Sequence, residues 1–363
     1  MPSDTMNEPD SVASEAPVPW TTLGLVGLIS FIFVIQGAAA YIPGWDFQVP
    51  DLLAFGALNP DLVEICGEWW RLVTAPLLHA NPMHLLMNAI ALFFAGRFIE
   101  MHLGGIILAG MLAVGAVAGA VASMLWGDAR LVSVGASGGI MTLLAAALFL
   151  CYTLPAAADT ISGRSLFLRI LVPSMIPTHD GVDYAAHFGG AVAGLLIVAA
   201  ISALDTRARF SRGLALLVAA AYVCVAVFGT TRLMATAASQ SHAPAELPLN
   251  ATPGLLATRE ADARALVMRY PQDPQAYLVL SFALYESGRP AEAESSAIAG
   301  LRQARLGTSA FYELTTTPEL KAMIALGRAA AERTDSGRRL AAPLCEQIGP
   351  PFRERLDRQR LCP

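Results

Sequence analysis

The sequence predicts an all-α fold: a polytopic bundle of about seven membrane helices followed by a small soluble helical domain. Three observations lead there. Of 363 residues, 55% are hydrophobic and only 15% are charged. Mean hydropathy is +0.52, a composition found in membrane proteins. Apolar runs of the roughly 20 residues needed to cross a bilayer fill the chain from Trp20 to Met234, after which charge and proline return. The expected parts are an acidic flexible N-terminus (1–20), a membrane domain (21–234), a linker (235–254) and a soluble helical domain (255–363).

The first twenty residues carry Asp4, Glu8, Asp10 and Glu15 with no Lys or Arg. A cleaved signal peptide starts with basic residues and ends at a small-residue site, so the first apolar run is expected to be a retained helix. Spans are expected at 21–42, 84–103, 105–126, 136–154, 165–177, 183–204 and 212–234. The fifth is short and bounded by Pro173 and Pro177.

Orientation follows from the arginines, because cytoplasmic loops retain positive charge. Arg207, Arg209 and Arg212 lie between the sixth and seventh spans, Arg164 and Arg169 near the fourth-to-fifth connection, and Arg97 near the end of the second. The opposite connections offer only Arg71 and Arg130. The N-terminus is therefore expected inside and the C-terminal domain outside, in a bacterial inner membrane. Cys345 and Cys362 then lie in an exported tail where a disulfide persists, with two unpaired thiols as the equal alternative. Cys66 is expected to face outward, and Cys151 and Cys224 to be buried fillers.

A polar side chain at membrane depth costs about 2.5 kcal/mol or more, so it needs a partner or a function. In the second span, "HANPMHLLMNAIALFFAGRFIE" puts His84 and Asn88 four residues apart on one helical face, with His79 just before the helix to cap or brace a loop. In the fourth span Ser137 sits in the first turn, where unsatisfied N–H groups and the helix dipole favour a developing oxyanion. In the sixth, "DYAAHFGGAVAGLL" places His187 about one turn below the surface, followed by Gly190 and Gly194 at a spacing that lets two helices approach closely. Spans two, four and six all run outside to inside, so the four polar residues share a depth.

A serine hydroxyl becomes a nucleophile when an imidazole takes its proton. Ser137 and His187 supply that pair, with His84, Asn88 and the Ser137 N–H as oxyanion donors, a constellation suited to peptide hydrolysis. Each feature also has a plainer reading. A Gly-Ala-Ser-Gly cluster alone is more often helix packing, and a lone membrane histidine is as often a satisfied buried group or a proton relay. "GASGG" matches the serine elbow of soluble hydrolases, but that turn needs a preceding strand, which these flanks lack. Asp183, four residues before His187, is expected to cap its helix rather than orient the imidazole.

Taken together, these motifs resemble the rhomboid family of intramembrane serine proteases. The matching residues are Trp70 and Arg71 of "WWR", His79, His84 and Asn88 of "HANPMHLLMN", Gly96 and Glu100 of "GRFIE", Gly135 to Gly138 of "GASG", and "AHFGGAVAG" around His187. The resemblance covers Glu68 to Gly194. It implies a Ser-His dyad of Ser137 and His187 without an obligatory acid, an oxyanion site using His84 and Asn88, and cleavage of single-span membrane proteins near the outer membrane boundary. It also implies that Trp70 and Arg71 anchor an outer loop, that "IPTHDGVDY" caps the site, and that the seventh span follows a six-span core. No cofactor, metal or nucleic-acid partner is expected. The alternative is a catalytically inactive rhomboid-like protein that binds membrane clients; a proton-coupled transporter would call for paired carboxylates or repeated halves.

Beyond the linker, "EADARALVMRYPQDPQAYLVLSFALYESGRPAEAESSAIAGL" has helical periodicity broken at Gly288 to Pro290. It resembles one tetratricopeptide unit through Ala276, Tyr277, Leu280, Ala283, Gly288, Glu292 and Ala293, with a generic helical hairpin as the alternative. The repeat reading implies a protein or peptide partner for the tail.

Overall fold

The computed structural model describes residues 18–40, 45–127, 132–154, 165, 168–177, 181–203, 208–240, 247, 254–306 and 316–363. Five of its helices are long and apolar enough to cross a membrane. They are α1 (Trp20–Ala40), α4 (Pro82–Leu103), α5 (Gly105–Trp126), α7 (Tyr184–Ala203) and α8 (Ala208–Gln240). The sixth apolar helix, α6 (Ser137–Thr153), has 17 residues and is buried on nearly every side. At 1.5 Å per residue it is about 25 Å long, shorter than the roughly 30 Å of a hydrocarbon core. Ser137 stands in its first turn.

Helix α6 is central because α5 and α7 pack along it and α4 covers a third side, while α8 leans on α5 from outside. Most boundaries fall within a few residues of those expected from hydropathy. In the segment 165–177, residues 165 and 168–171 are helical and a 3-10 turn follows at Pro173–Met175; residues 166 and 167 lie outside the described residues. Pro173 fixes the turn, and Pro177 has no N–H with which to extend it. Helix α8 continues to Gln240, past the expected limit at 234. Cys151 is buried as expected, but Cys224 is exposed on α8, because that helix lies at the edge of the bundle.

The connection between α1 and α4 is a folded layer. It contains α2 (Val49–Phe55), a π-helical turn (Asp61–Ile65), α3 (Arg71–Thr74) and a 3-10 turn (Ala75–Leu77). Arg71 is fully buried at its centre. Its Nε donates to Glu68 at 2.7 Å, and its Nη1 donates to the carbonyls of Leu53 and Ala57, both at 2.8 Å. Leu53 O lies in the last turn of α2, where it also accepts from the Gly56 N–H at 3.2 Å, and Ala57 follows the turn that Gly56 makes at φ 107°. The neighbouring Trp69 stacks on Phe228 of α8, and Arg232 lies over the Trp70 ring.

The C-terminal region comprises α9 (Glu260–Arg269), α10 (Pro274–Glu286), α11 (Pro290–Leu306), α12 (Thr316–Ala330), α13 (Thr334–Ala341) and α14 (Phe352–Arg358). Asp273 caps α10 through the Gln275 N–H, and α10 and α11 pack as a hairpin across the buried Ala276, Ala283 and Ala293. Phe282 meets Phe352 edge to face at 5.7 Å in the same core. Cys345 and Cys362 form a disulfide.

This region docks on the folded layer. Asp61 receives Arg305 Nε at 2.9 Å and lies 2.8 Å from Lys321 Nζ, while Glu68 faces Arg302 at 2.7 Å. Arg302 also donates to the carbonyl of Cys66, whose thiol is pushed up to about 12 by burial.

In α12, burial raises the Glu319 carboxyl from 4.5 to about 7. The folded state therefore holds this proton where the unfolded chain has released it, so the stability contributed by the neutral form is lost as pH rises from about 4.5 to about 7. Glu319→Gln is expected to slow hydrogen exchange of α12 amides at pH 8 by an amount on the order of 1 kcal/mol, after discounting for partial exposure. The gain should vanish toward pH 4, and an equal gain at both pH values would refute this assignment. Breaking the disulfide by Cys345→Ser with Cys362→Ser should cost the tail about 3 kcal/mol for a loop of this size, read as faster exchange in α13 and α14.

Candidate active site

The site begins at the turn into α6. Gly135 has φ 113°, a conformation that other residues rarely adopt, and its N–H donates to Ala75 of the folded layer at 3.1 Å. A Cβ there would come within 2.7 Å of His84 Nε2. Glycine is required twice over, by the turn and by the imidazole lying against it. Ser137 follows two residues later as the first residue of α6, so its N–H is an unsatisfied helix-start donor.

What holds α6 to its neighbours is main-chain contact. A methyl at Gly190 of α7 would overlap the Gly138 carbonyl, and one at Gly194 would overlap the Thr142 carbonyl. On the other side, a Cβ at Gly119 of α5 would come 3.2 Å from Gly138 Cα. Thr142 closes the seam: its hydroxyl donates to Gly190 O at 2.7 Å, with Gly138 O 3.3 Å away as a second acceptor. Lipid gives helices no hydrophobic reason to associate, so close approach and polar contacts must supply the attraction. The spacing read as a packing motif therefore performs that role, and it fixes Ser137 and His187 each within a turn of the seam.

His187 is buried in the first turn of α7. Its Nδ1 lies 2.6 Å from the Ser174 carbonyl. A carbonyl only accepts, so Nδ1 carries the proton and, in the neutral ring, Nε2 keeps its lone pair. Asp183 does what was expected of it as a cap: its Oδ1 accepts from the Ala186 N–H at 2.9 Å.

On α4, Asn81 caps the helix by accepting from His84 N at 2.8 Å, with Pro82 in the first turn. Asn88 is buried and donates one Nδ2 proton to the His84 carbonyl at 2.8 Å, which leaves its second proton for another acceptor. His79 packs edge to face on His84 at 5.2 Å, and burial, with His84 beside it, depresses its imidazole to about 3, so it stays neutral. It braces the loop through its main chain, which exchanges two hydrogen bonds with the Gln36 side chain of α1.

All four expected site residues, Ser137, His187, His84 and Asn88, line one cavity of about 400 Å³. Met87, Ile140, Met141 and Ile170 give it apolar walls. Reading the sequence missed Gln36, Thr142 and Ser174. Gln36 and Thr142 are polar residues in apolar runs, the same signal that exposed Asn88. Ser174 acts through its main chain, which no side-chain pattern reports.

Comparison with known proteins matches one family. The family model described as Rhomboid domain matches residues 66–204. The chain contains a rhomboid domain. Rhomboid protease GluP of Bacillus subtilis (strain 168) is 32% identical over 171 residues, covering 44% of this chain and 31% of its own. Rhomboid protease AarA of Providencia stuartii is 28% identical over 231 residues, covering 57% of this chain and 80% of its own. RHOMBOID-like protein 5 of Arabidopsis thaliana is 33% identical over 153 residues, covering 41% and 49% respectively. No solved structure matches the chain. The rhomboid domain and the long apolar helices make this an integral membrane protein, and the matched span contains Ser137, His187, His84 and Asn88.

Two substitutions test the seam of the rhomboid domain. Thr142→Val keeps the shape and removes the hydroxyl, so it should lower thermal stability in lipid by about 1 kcal/mol. Gly190→Leu, which drives a side chain into main chain, should abolish the folded state; a Gly190→Leu protein with an unchanged melting profile would disprove the contact.

Proposed function

We propose that the chain is an intramembrane serine endopeptidase that cleaves single-span membrane proteins near the outer membrane boundary through a Ser137–His187 dyad. The observation that supports it most is the convergence of a helix-start serine, a histidine with its Nδ1 already engaged, and the His84 and Asn88 side chains on one cavity.

In this mechanism Ser137 Oγ attacks the scissile carbonyl while His187 Nε2 takes its proton. The oxyanion accepts from the Ser137 N–H, His84 and the second Asn88 Nδ2 proton. Collapse breaks the C–N bond, and His187 returns the proton to the leaving amine. Water, deprotonated by the same imidazole, then attacks the acyl-serine ester and releases Ser137. The substrate helix must unwind locally, because a regular helix keeps its carbonyls in hydrogen bonds.

The outer-face assignment rests on two features. Arginine bias favours an outside position for the C-terminal region, and the Cys345–Cys362 disulfide suits an oxidising compartment. That region docks on the layer that pairs with the start of α6, through the Leu58–Ser133 bridge and the Gly135–Ala75 hydrogen bond, so site and tail share a side. The α10–α11 hairpin is the part of the tail suited to a protein or peptide partner.

Ser137→Ala and His187→Ala should each reduce cleavage of a single-span reporter by roughly 10³-fold or more, and Asn88→Ala by about 10²-fold. A serine-reactive fluorophosphonate should label wild type and not Ser137→Ala. Cleavage retained by both dyad variants would refute the proposal.

A further inference from the structure

We infer that the main-chain carbonyl of Ser174 holds His187 in its Nδ1–H form, the task that a carboxylate performs in a Ser-His-Asp triad; the catalytic consequence rests on the protease reading above. Ser174 is a positioning residue: it does not touch the reacting atoms, and it acts through the imidazole.

The contact is short, 2.6 Å from Ser174 O to His187 Nδ1, and only one proton placement suits it. The nearest carboxylate in sequence, Asp183, makes no hydrogen bond to the ring: one of its oxygens caps α7 through Ala186, its main-chain carbonyl accepts from the His187 N–H, and its second oxygen is buried without a partner. A carboxylate in that position serves the helix start, not the ring.

The sequence also explains why the Ser174 carbonyl is available. In the 3-10 turn Pro173–Met175, the Met175 N–H donates to Val172 O and the Ile176 N–H to Pro173 O. The next bond of that series would run from residue 177 to Ser174 O, and residue 177 is proline, which has no N–H. A half-buried carbonyl left over by its own turn still favours a donor, and His187 provides it. The Ser174 hydroxyl donates to Ile170 O at 2.7 Å, which pins the turn to the helical residues before it. Ile170 and Ser174 both line the cavity, so the piece of chain that bounds the cavity also sets the protonation pattern of the base.

The test is the tautomer itself, read by ¹⁵N NMR on full-length protein labelled at histidine in phospholipid nanodiscs, with His187 assigned by its loss in His187→Gln. A protonated signature at Nδ1 and an unprotonated one at Nε2 are expected; the reverse pattern overturns the inference. Replacing residue 175 by the α-hydroxy analogue of methionine turns the Ser174 amide into an ester, a weaker acceptor, and should shift His187 toward a tautomer mixture. An unchanged spectrum there also overturns it. Asp183→Asn should keep both the tautomer and the cleavage rate within about threefold. A change of tautomer with a fall on the order of 10³-fold would transfer the role to Asp183. Failure of the protease reading looks different: Ser137→Ala would still cleave while His187 kept its Nδ1 proton.

Discussion

The architecture depends on one place where two helices touch backbone to backbone. Gly138 of α6 meets Gly190 of α7, and the Thr142 hydroxyl bonds across the contact. Residues with side chains would hold the helices apart, and in lipid no hydrophobic gain would draw them together again. The catalytic candidates are placed by this contact because of their sequence distance from it. Ser137 precedes Gly138 and His187 lies three residues before Gly190, so the register that seats glycine on glycine also brings both functional side chains to one end of the bundle.

The outer wall of the site is organised by a second constraint, the burial of Arg71. Removing a guanidinium from water is expensive unless its protons find acceptors. Glu68 and the carbonyls of Leu53 and Ala57 provide them for Nε and Nη1, while Nη2 is buried without a partner, and burial lowers the Arg71 pKa from its ordinary value, with Glu68 opposing that shift. The consequence is geometric. The bonds from Arg71 Nη1 tie the end of α2 to α3, and α3 leads into the turn whose Ala75 carbonyl receives the Gly135 N–H. A charge in the connecting layer thus helps to set the turn on which Ser137 stands.

The fold and much of the candidate site were legible for the same reason. In an apolar chain a polar residue is conspicuous, and helix periodicity says which of them share a face; His84, Asn88, Ser137 and His187 stood out in this way. The unread parts lack such contrast. The segment 165–177 looked like a short span because hydropathy averages over its prolines. The connecting layer was read as loop because its order comes from Arg71, and a sequence does not show which acceptors a buried guanidinium will find. The pairs that join the acidic Asp61 and Glu68 to the basic Arg302, Arg305 and Lys321 went unread, since ion pairs between distant segments leave no local pattern. Cys224 was misjudged because an apolar helix at the rim has the same composition as one in the core.

Glu68 stands between two arginines, Arg71 within the membrane-proximal layer and Arg302 in the tail. The two regions are therefore not interchangeable modules. A chimera that joins this tail to another membrane bundle would leave Arg302 facing a surface that does not answer its charge, and one that gives this bundle a foreign tail would leave Glu68 half neutralised beside a buried guanidinium. Recombination at the linker after α8 would succeed only if the acidic pair at 61 and 68 travelled with the basic residues that meet it.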